Sequence, residues 1–200
     1  NARGISADGR PRVCFVGSHS PAFDFEPVYE AAKRFAARPG GCEFVICGNG
    51  STTPILRSIM SGLSNVHFPG WVDRAQMKAL AERSIASLAP YRNTEGFAMS
   101  IPNKVIDALS LGLPVLSPLQ GEVANLIANH GVGLRYGTDS GKSLFQCIET
   151  LIGTPALRRE FSRNALDLYE EKFSSERVYG GLVKHLEALS RKKPLGARCG

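Results

Sequence analysis

The chain contains no apolar run approaching the roughly 20 residues needed to cross a bilayer, and its first nine residues lack the apolar core of a signal peptide. No export or anchoring signal is therefore expected in it. It has no Cys-x-x-Cys pair, and its five cysteines, Cys14, Cys42, Cys47, Cys147 and Cys199, are odd in number and mostly lie inside apolar patterns. That excludes a disulfide framework and reads as buried thiols in a reducing compartment. His19, His67, His130 and His185 do not fall at ligand spacings, and no Asp-x-Asp pair is present. No structural metal is expected. Missing too is any basic stripe interleaved with aromatics: 24 Lys and Arg against 18 Asp and Glu give a net charge of +6, but the cations are scattered. Nucleic acid is thus not an expected partner. The one basic cluster, Arg191, Lys192 and Lys193, reads either as a solvated end or as a contact with an anionic membrane surface.

What is present describes a globular domain. With 200 residues, 43% of them hydrophobic, the chain is long enough to bury one full core. It starts without Met on a polar stretch, which reads as part of something longer, with 1–11 as linker or tag remnant, 12–190 as the folded domain and 191–200 as a flexible tail. Short apolar runs at 13–16, 44–47, 66–68, 85–89, 114–117 and, more weakly, 132–136 alternate with helical patterns at 26–38, 53–61, 73–83, 102–111 and 122–130. The alternation predicts an α/β fold, a Rossmann-like open parallel sheet of about six strands flanked by helices. Patterns at 141–152, 155–173 and 175–190 follow without strands and predict extra C-terminal helices. Ligands of such sheets bind beyond the C-terminal strand ends, where strand order reverses. The loops 17–25, 48–53, 69–73, 90–103 and 117–122 are therefore the candidates.

The most informative stretch is 100–117. Ser100 can cap a helix, Pro102 suits the first turn because it lacks the N–H that would be unpaired there, and Lys104 adds a cation. Free backbone donors, a positive dipole end and an ammonium together attract phosphate. Asp107 lies about one turn along, within reach of a sugar hydroxyl of the same ligand. Gly112 and Pro114 then end the helix and start a strand.

Other loops offer further contacts. Gly48-Asn49-Gly50 follows a buried strand and either lets backbone N–H groups approach a phosphate or makes a tight turn; the third glycine of a dinucleotide fingerprint is replaced by Thr53. Trp71, the single tryptophan, either stacks on a nucleobase at the rim or plugs a helix–strand junction. Arg92 can neutralise a diphosphate, and Glu95 can hold a sugar hydroxyl or support positive charge near an anomeric carbon.

Taken together, Gly-Asn-Gly after the second strand, Phe68-Pro69-Gly70-Trp71-Val72 after the third, Ala89-Pro90-Tyr91 after the fourth and the Pro102-Asn103-Lys104 helix ending in Gly112-Leu113-Pro114-Val115 resemble the C-terminal, donor-binding half of a GT-B glycosyltransferase, of the family 4 retaining type. The resemblance covers about 13–173. It implies transfer of a sugar from a nucleotide diphosphate donor to an acceptor without an obligatory metal, in cell-surface polysaccharide or glycolipid synthesis, by a cytoplasmic protein peripheral to the inner membrane face. It also implies an N-terminal acceptor domain outside this chain, without which the isolated domain is inactive. The family's paired acids, eight positions apart, map onto Asp107 and onto Met99, which is not an acid, so Glu95 takes the place of the donor-sugar carboxylate. Similar enzymes carry an Arg just after the first-strand glycine and a Lys soon after; here the loop reads Gly17-Ser18-His19-Ser20. Arg92 and Lys104 are expected to replace those cations. The expected donor-contacting set is Gly17, Ser18, Gly48, Asn49, Gly50, Trp71, Arg92, Ser100, Asn103, Lys104 and Asp107, with Glu95 catalytic. A nucleotide-sugar epimerase of the same architecture and a non-catalytic nucleotide-sugar-binding module are the alternatives.

Overall fold

A computed structural model describes residues 9–137 and 141–191. Six strands, β1 (Arg12–Val16), β2 (Glu43–Cys47), β3 (Val66–Gly70), β4 (Ala86–Leu88), β5 (Val115–Ser117) and β6 (Gly133–Arg135), form one sheet in the order β3-β2-β1-β4-β5-β6. Every pairing is parallel. Strand order therefore reverses between β1 and β4, and the carboxyl ends of those two strands flank the crevice in which such sheets hold ligands.

Helices α1 (Glu26–Ala36) and α2 (Thr53–Ile59) are the crossovers on one side of the reversal. Those on the other side are α3 (Arg74–Ala81), α5 (Asn103–Ser110) and α6 (Glu122–His130), with a single-turn α4 (Glu95–Ala98) inside the fourth loop. Right-handed crossovers put the two sets on opposite faces. The chain continues through α7 (Lys142–Gly153), packed on α1, and α8 (Pro155–Leu168), packed on α5 and α6; a π-helical turn (Tyr169–Phe173) then leads into α9 (Ser175–Arg191). No helix among the described residues is long and apolar enough to cross a membrane.

The central strands are buried on both faces, which is why β2 reads as an unbroken apolar run after Glu43. Glu43 itself is fully buried and meets Arg12 at 2.6 Å, Arg10 at 3.0 Å and His67 at 3.6 Å. Helix ends follow local chemistry. Asp73 and Gln76 form a reciprocal capping box at the start of α3, and Gly131, in the left-handed region, closes α6. Burial pushes the Cys14 thiol up to about 11 and that of Cys47 to about 12, so both remain protonated and inert.

Three expectations need correction. Ser100 does not cap α5: its hydroxyl donates to the carbonyl of Gly96 at 2.9 Å and closes α4 instead. Pro102 is not a helical residue but the extended residue before the helix, whose carbonyl accepts the first bond from Val105 at 2.9 Å. The helical pattern over 155–173 is broken, because its last turn widens to π geometry. The basic cluster at 191–193 and Cys199 lie outside the described residues, apart from the backbone of Arg191, as do residues 1–8 of the leading segment.

Candidate functional site

The ends of β1 and β4 meet the start of α5 at Lys104. Its ammonium donates to the carbonyl of Val16, the last residue of β1. It lies 4.5 Å from the centre of the Phe15 ring and 5.4 Å from that of Phe23, close enough for both faces to stabilise the charge. Gly17 makes this possible. A Cβ there would stand 1.5 Å from the ammonium nitrogen, and its φ of +147° is a conformation other residues avoid. Burial lowers the Lys104 pKa while Asp107 pushes it back up, and burial raises the Asp107 pKa while Lys104 pulls it down. The two side chains thus support each other's charge across one helical turn, and both line a narrow crevice with Val16 and Ser87.

Pro102 gives α5 no side-chain cap, and of the first turn the Val105 N–H bonds the Pro102 carbonyl at 2.9 Å and Tyr91 engages the Lys104 backbone, while the Asn103 N–H has no hydrogen-bond partner among the described residues. Tyr91 is the nearest neighbour that reasoning from sequence left unassigned. Burial, followed by the nearby Asp107 charge, pushes its hydroxyl up to about 12, opposed by a hydrogen bond with the Lys104 backbone. The Tyr91 ring packs 4.6 Å from Phe23 and 4.7 Å from Phe97, and its backbone forms a bridge with Phe23. This aromatic cluster fastens the fourth loop to the first.

The two glycines flanking Asn49 serve contact between loops. A Cβ at Gly48 would approach the Gly17 carbonyl oxygen to 1.9 Å, and one at Gly50 would approach that of His19 to 2.1 Å. Their donors are also engaged, Gly48 N–H with the Gly70 carbonyl at 2.6 Å and Gly50 N–H with Thr53 Oγ1 at 2.8 Å. Asn49 is exposed and accepts from the His19 N–H at 3.1 Å. Of the two readings of Gly48-Asn49-Gly50, the turn is what these bonds describe.

His19 was not among the candidates read from sequence. Its ring is buried, with Nδ1 2.9 Å from Thr53 Oγ1 and Nε2 without a hydrogen-bond partner among the described residues. Phe15, Phe25 and Phe68 surround it. Burial lowers its pKa, opposed by the Cys47 backbone and aided by the Lys104 and Arg57 charges. A buried His between the loops that follow β1 and β2 leaves only its spacing from Gly17 as a trace in sequence.

The remaining candidates spread along the rim. Trp71 is 67% exposed just past β3, so it does not plug a junction. Ser18 and Asn103 are exposed beside Gly17 and at the first position of α5. Glu95 is exposed at the start of α4, and Met99, at the position where the resemblance wants an acid, is 71% exposed. Arg92 is held elsewhere: Nε donates to the Pro21 carbonyl at 3.1 Å and Nη1 lies 3.8 Å from Asp24, on a separate hollow beside α2.

Comparison with known proteins extends this picture. Residues 10–154 match the family model described as Glycosyl transferases group 1. An alpha-D-kanosaminyltransferase of Streptomyces kanamyceticus is 24% identical over 170 residues, 84% of this chain and 43% of its own length. The fold superposes with a TM-score of 0.73 on Anabaena HepE in complex with UDP and glucose, at 16% identity, over 90% of this chain and 48% of that one. The C-terminal domain of the Francisella tularensis group 1 glycosyl transferase LpcC gives a TM-score of 0.67 at 16% identity, over 82% of this chain and 87% of that one. The chain thus spans about two-fifths of the curated relative and nearly all of a solved C-terminal domain.

Proposed function

The chain belongs to the group 1 glycosyl transferases and has the Rossmann-like half of a GT-B fold, and from that premise we propose that it binds the nucleoside diphosphate sugar from which a retaining enzyme transfers sugar. The observation that carries this reading is the Lys104–Asp107 pair on one uncapped helix start at the strand-order reversal. The Lys104 ammonium and the Asn103 N–H at the positive end of α5 take the diphosphate, where they stabilise the charge that grows on the leaving group. Asp107 accepts from ribose hydroxyls, Trp71 offers its exposed face to the base, and Glu95 faces the donor sugar. Gly17 and Ser18 line the phosphate side, with Asn49, Asn103 and Ser100 at the edge. Arg92, tied to Pro21 and Asp24, would have to leave that bond to reach a phosphate. No step needs a metal.

Transfer then requires an acceptor domain outside this chain. The match to under half of the curated relative's length supports that, and so does α9, on which Val178, Tyr179, Leu182, Val183, Leu186 and Leu189 are exposed. A face of that kind is normally covered. A cytoplasmic site next to the inner membrane face, and a role in polysaccharide or glycolipid assembly, belong to the same proposal.

Titration calorimetry with UDP, GDP and their sugars tests the binding step. One nucleoside diphosphate is expected to bind with a defined stoichiometry; a folded chain that binds none of them contradicts the reading. Ser18 and Met99, which stand where a cation and an acid are expected, favour a second reading, a binding module without turnover. In the full-length protein, turnover that is unchanged by Lys104→Ala removes the catalytic role of this helix.

A further inference from the structure

A second hollow lies away from the carboxyl ends of the strands. It is a half-open groove of 990 Å³ between α3 and α8, reaching the residues that precede β4 and β5. Its floor is apolar, made by Met77, Ala81, Ile85, Leu111, Leu113 and Leu166. Its walls are basic. Arg74 and Lys78 stand on α3, and Arg158 and Arg159 on α8, with Glu82 the one carboxylate among the lining residues. Arg158 donates to the Leu151 carbonyl at 3.3 Å, while Arg74, Lys78 and Arg159 are exposed and enter no ion pair among the described residues.

Four like charges around one trough repel each other, and that repulsion turns into attraction only when an anion lies between the walls. Guanidinium groups on the α8 wall match the paired oxygens of a phosphate better than those of any neutral head. The apolar floor asks for a hydrocarbon, and the volume falls in the range of small-molecule sites. We propose that this groove binds an amphiphile with a phosphate head and an aliphatic tail. Met77, Ala81, Leu111 and Leu113 also border the Lys104–Asp107 crevice, so the occupant would touch the wall behind α5 without entering the proposed donor site.

The test is titration of the chain, below micelle-forming concentrations, with decyl phosphate, octyl phosphate, decyl maltoside and inorganic phosphate, followed by NMR chemical shifts. Decyl phosphate is expected to saturate at one per chain, with octyl phosphate about tenfold weaker for two methylenes lost. The neutral maltoside and inorganic phosphate are each expected to be at least tenfold weaker. The double substitution Lys78→Glu with Arg159→Glu, at two exposed positions, should weaken decyl phosphate at least tenfold while leaving the melting temperature unchanged. Uptake that fails to saturate, equal binding of the maltoside, or a charge-reversed variant that binds like the parent would each overturn the proposal. Nucleotide binding plays no part in this readout, so its outcome is separate from that of the donor site.

Discussion

Gly17 and Gly48 make a paired test of how the two loops are built, because the groups that a new Cβ would meet differ. At Gly17 it meets the flexible end of Lys104, at Gly48 the rigid Gly17 backbone. Gly17→Ala should therefore cost about 1 kcal/mol through its positive φ and displace the ammonium, reducing nucleotide affinity more than stability. Gly48→Ala should lower the melting temperature further, since backbone must move. Equal losses in both would contradict that geometry. His19 gives a pH dependence whose sign is fixed. Its pKa in the folded state lies below the ordinary 6.5, so the unfolded chain takes up the proton first as pH falls. Its contribution to stability is full above about 6.5 and is lost as pH drops from there through the lowered folded value. Urea midpoints measured across that window should fall for the parent and flatten for His19→Phe. Glu43, buried beside Arg12, should be the most sensitive position in the sheet: Glu43→Gln removes the charge that faces the buried Arg12 guanidinium, at a cost of about 3–5 kcal/mol.

Elements were legible where their stops are local. The span of α6, 122–130, was readable to the residue because Gly131 can take the left-handed conformation that ends it; of α3 the start was readable from Asp73 as its cap, while its end falls at Ala81 rather than at 83. Asp73→Ala should cost about 1 kcal/mol of stability with no change in nucleotide affinity, by thermal melting and calorimetry on one sample. Where ends depend on tertiary contact, sequence was silent. Ser100 does not cap α5 because α4, read as loop, takes its hydroxyl first. The π turn after Leu168 follows helix-forming residues that carry no stop signal. The same distinction divides the candidate site. Lys104, Asp107 and Trp71 were legible because a helix start, a one-turn spacing and a strand end are local patterns. Tyr91 and His19 were not, since their roles come from loops that meet only once the sheet is formed. Arg92 illustrates the converse: its charge was visible, but its attachment to Pro21 and Asp24 was not.

For the molecule as a whole, the sheet places one reversal of strand order and one uncapped helix start side by side, and a lysine bridges them. The exposed face of α9 and the match to part of a longer relative are what the proposed division into a donor-binding half and an acceptor-binding half requires. If Lys104 is the diphosphate contact, its removal must erase the preference for diphosphate over bare nucleoside, not merely weaken binding. The decisive measurement is therefore calorimetric affinity for the best-binding nucleoside diphosphate and for its nucleoside, in the parent and in Lys104→Ala. The parent should prefer the diphosphate by at least tenfold, about 1.4 kcal/mol, and the variant should bind the two alike. A folded variant that keeps the parent's preference would contradict the placement of the diphosphate at this helix start.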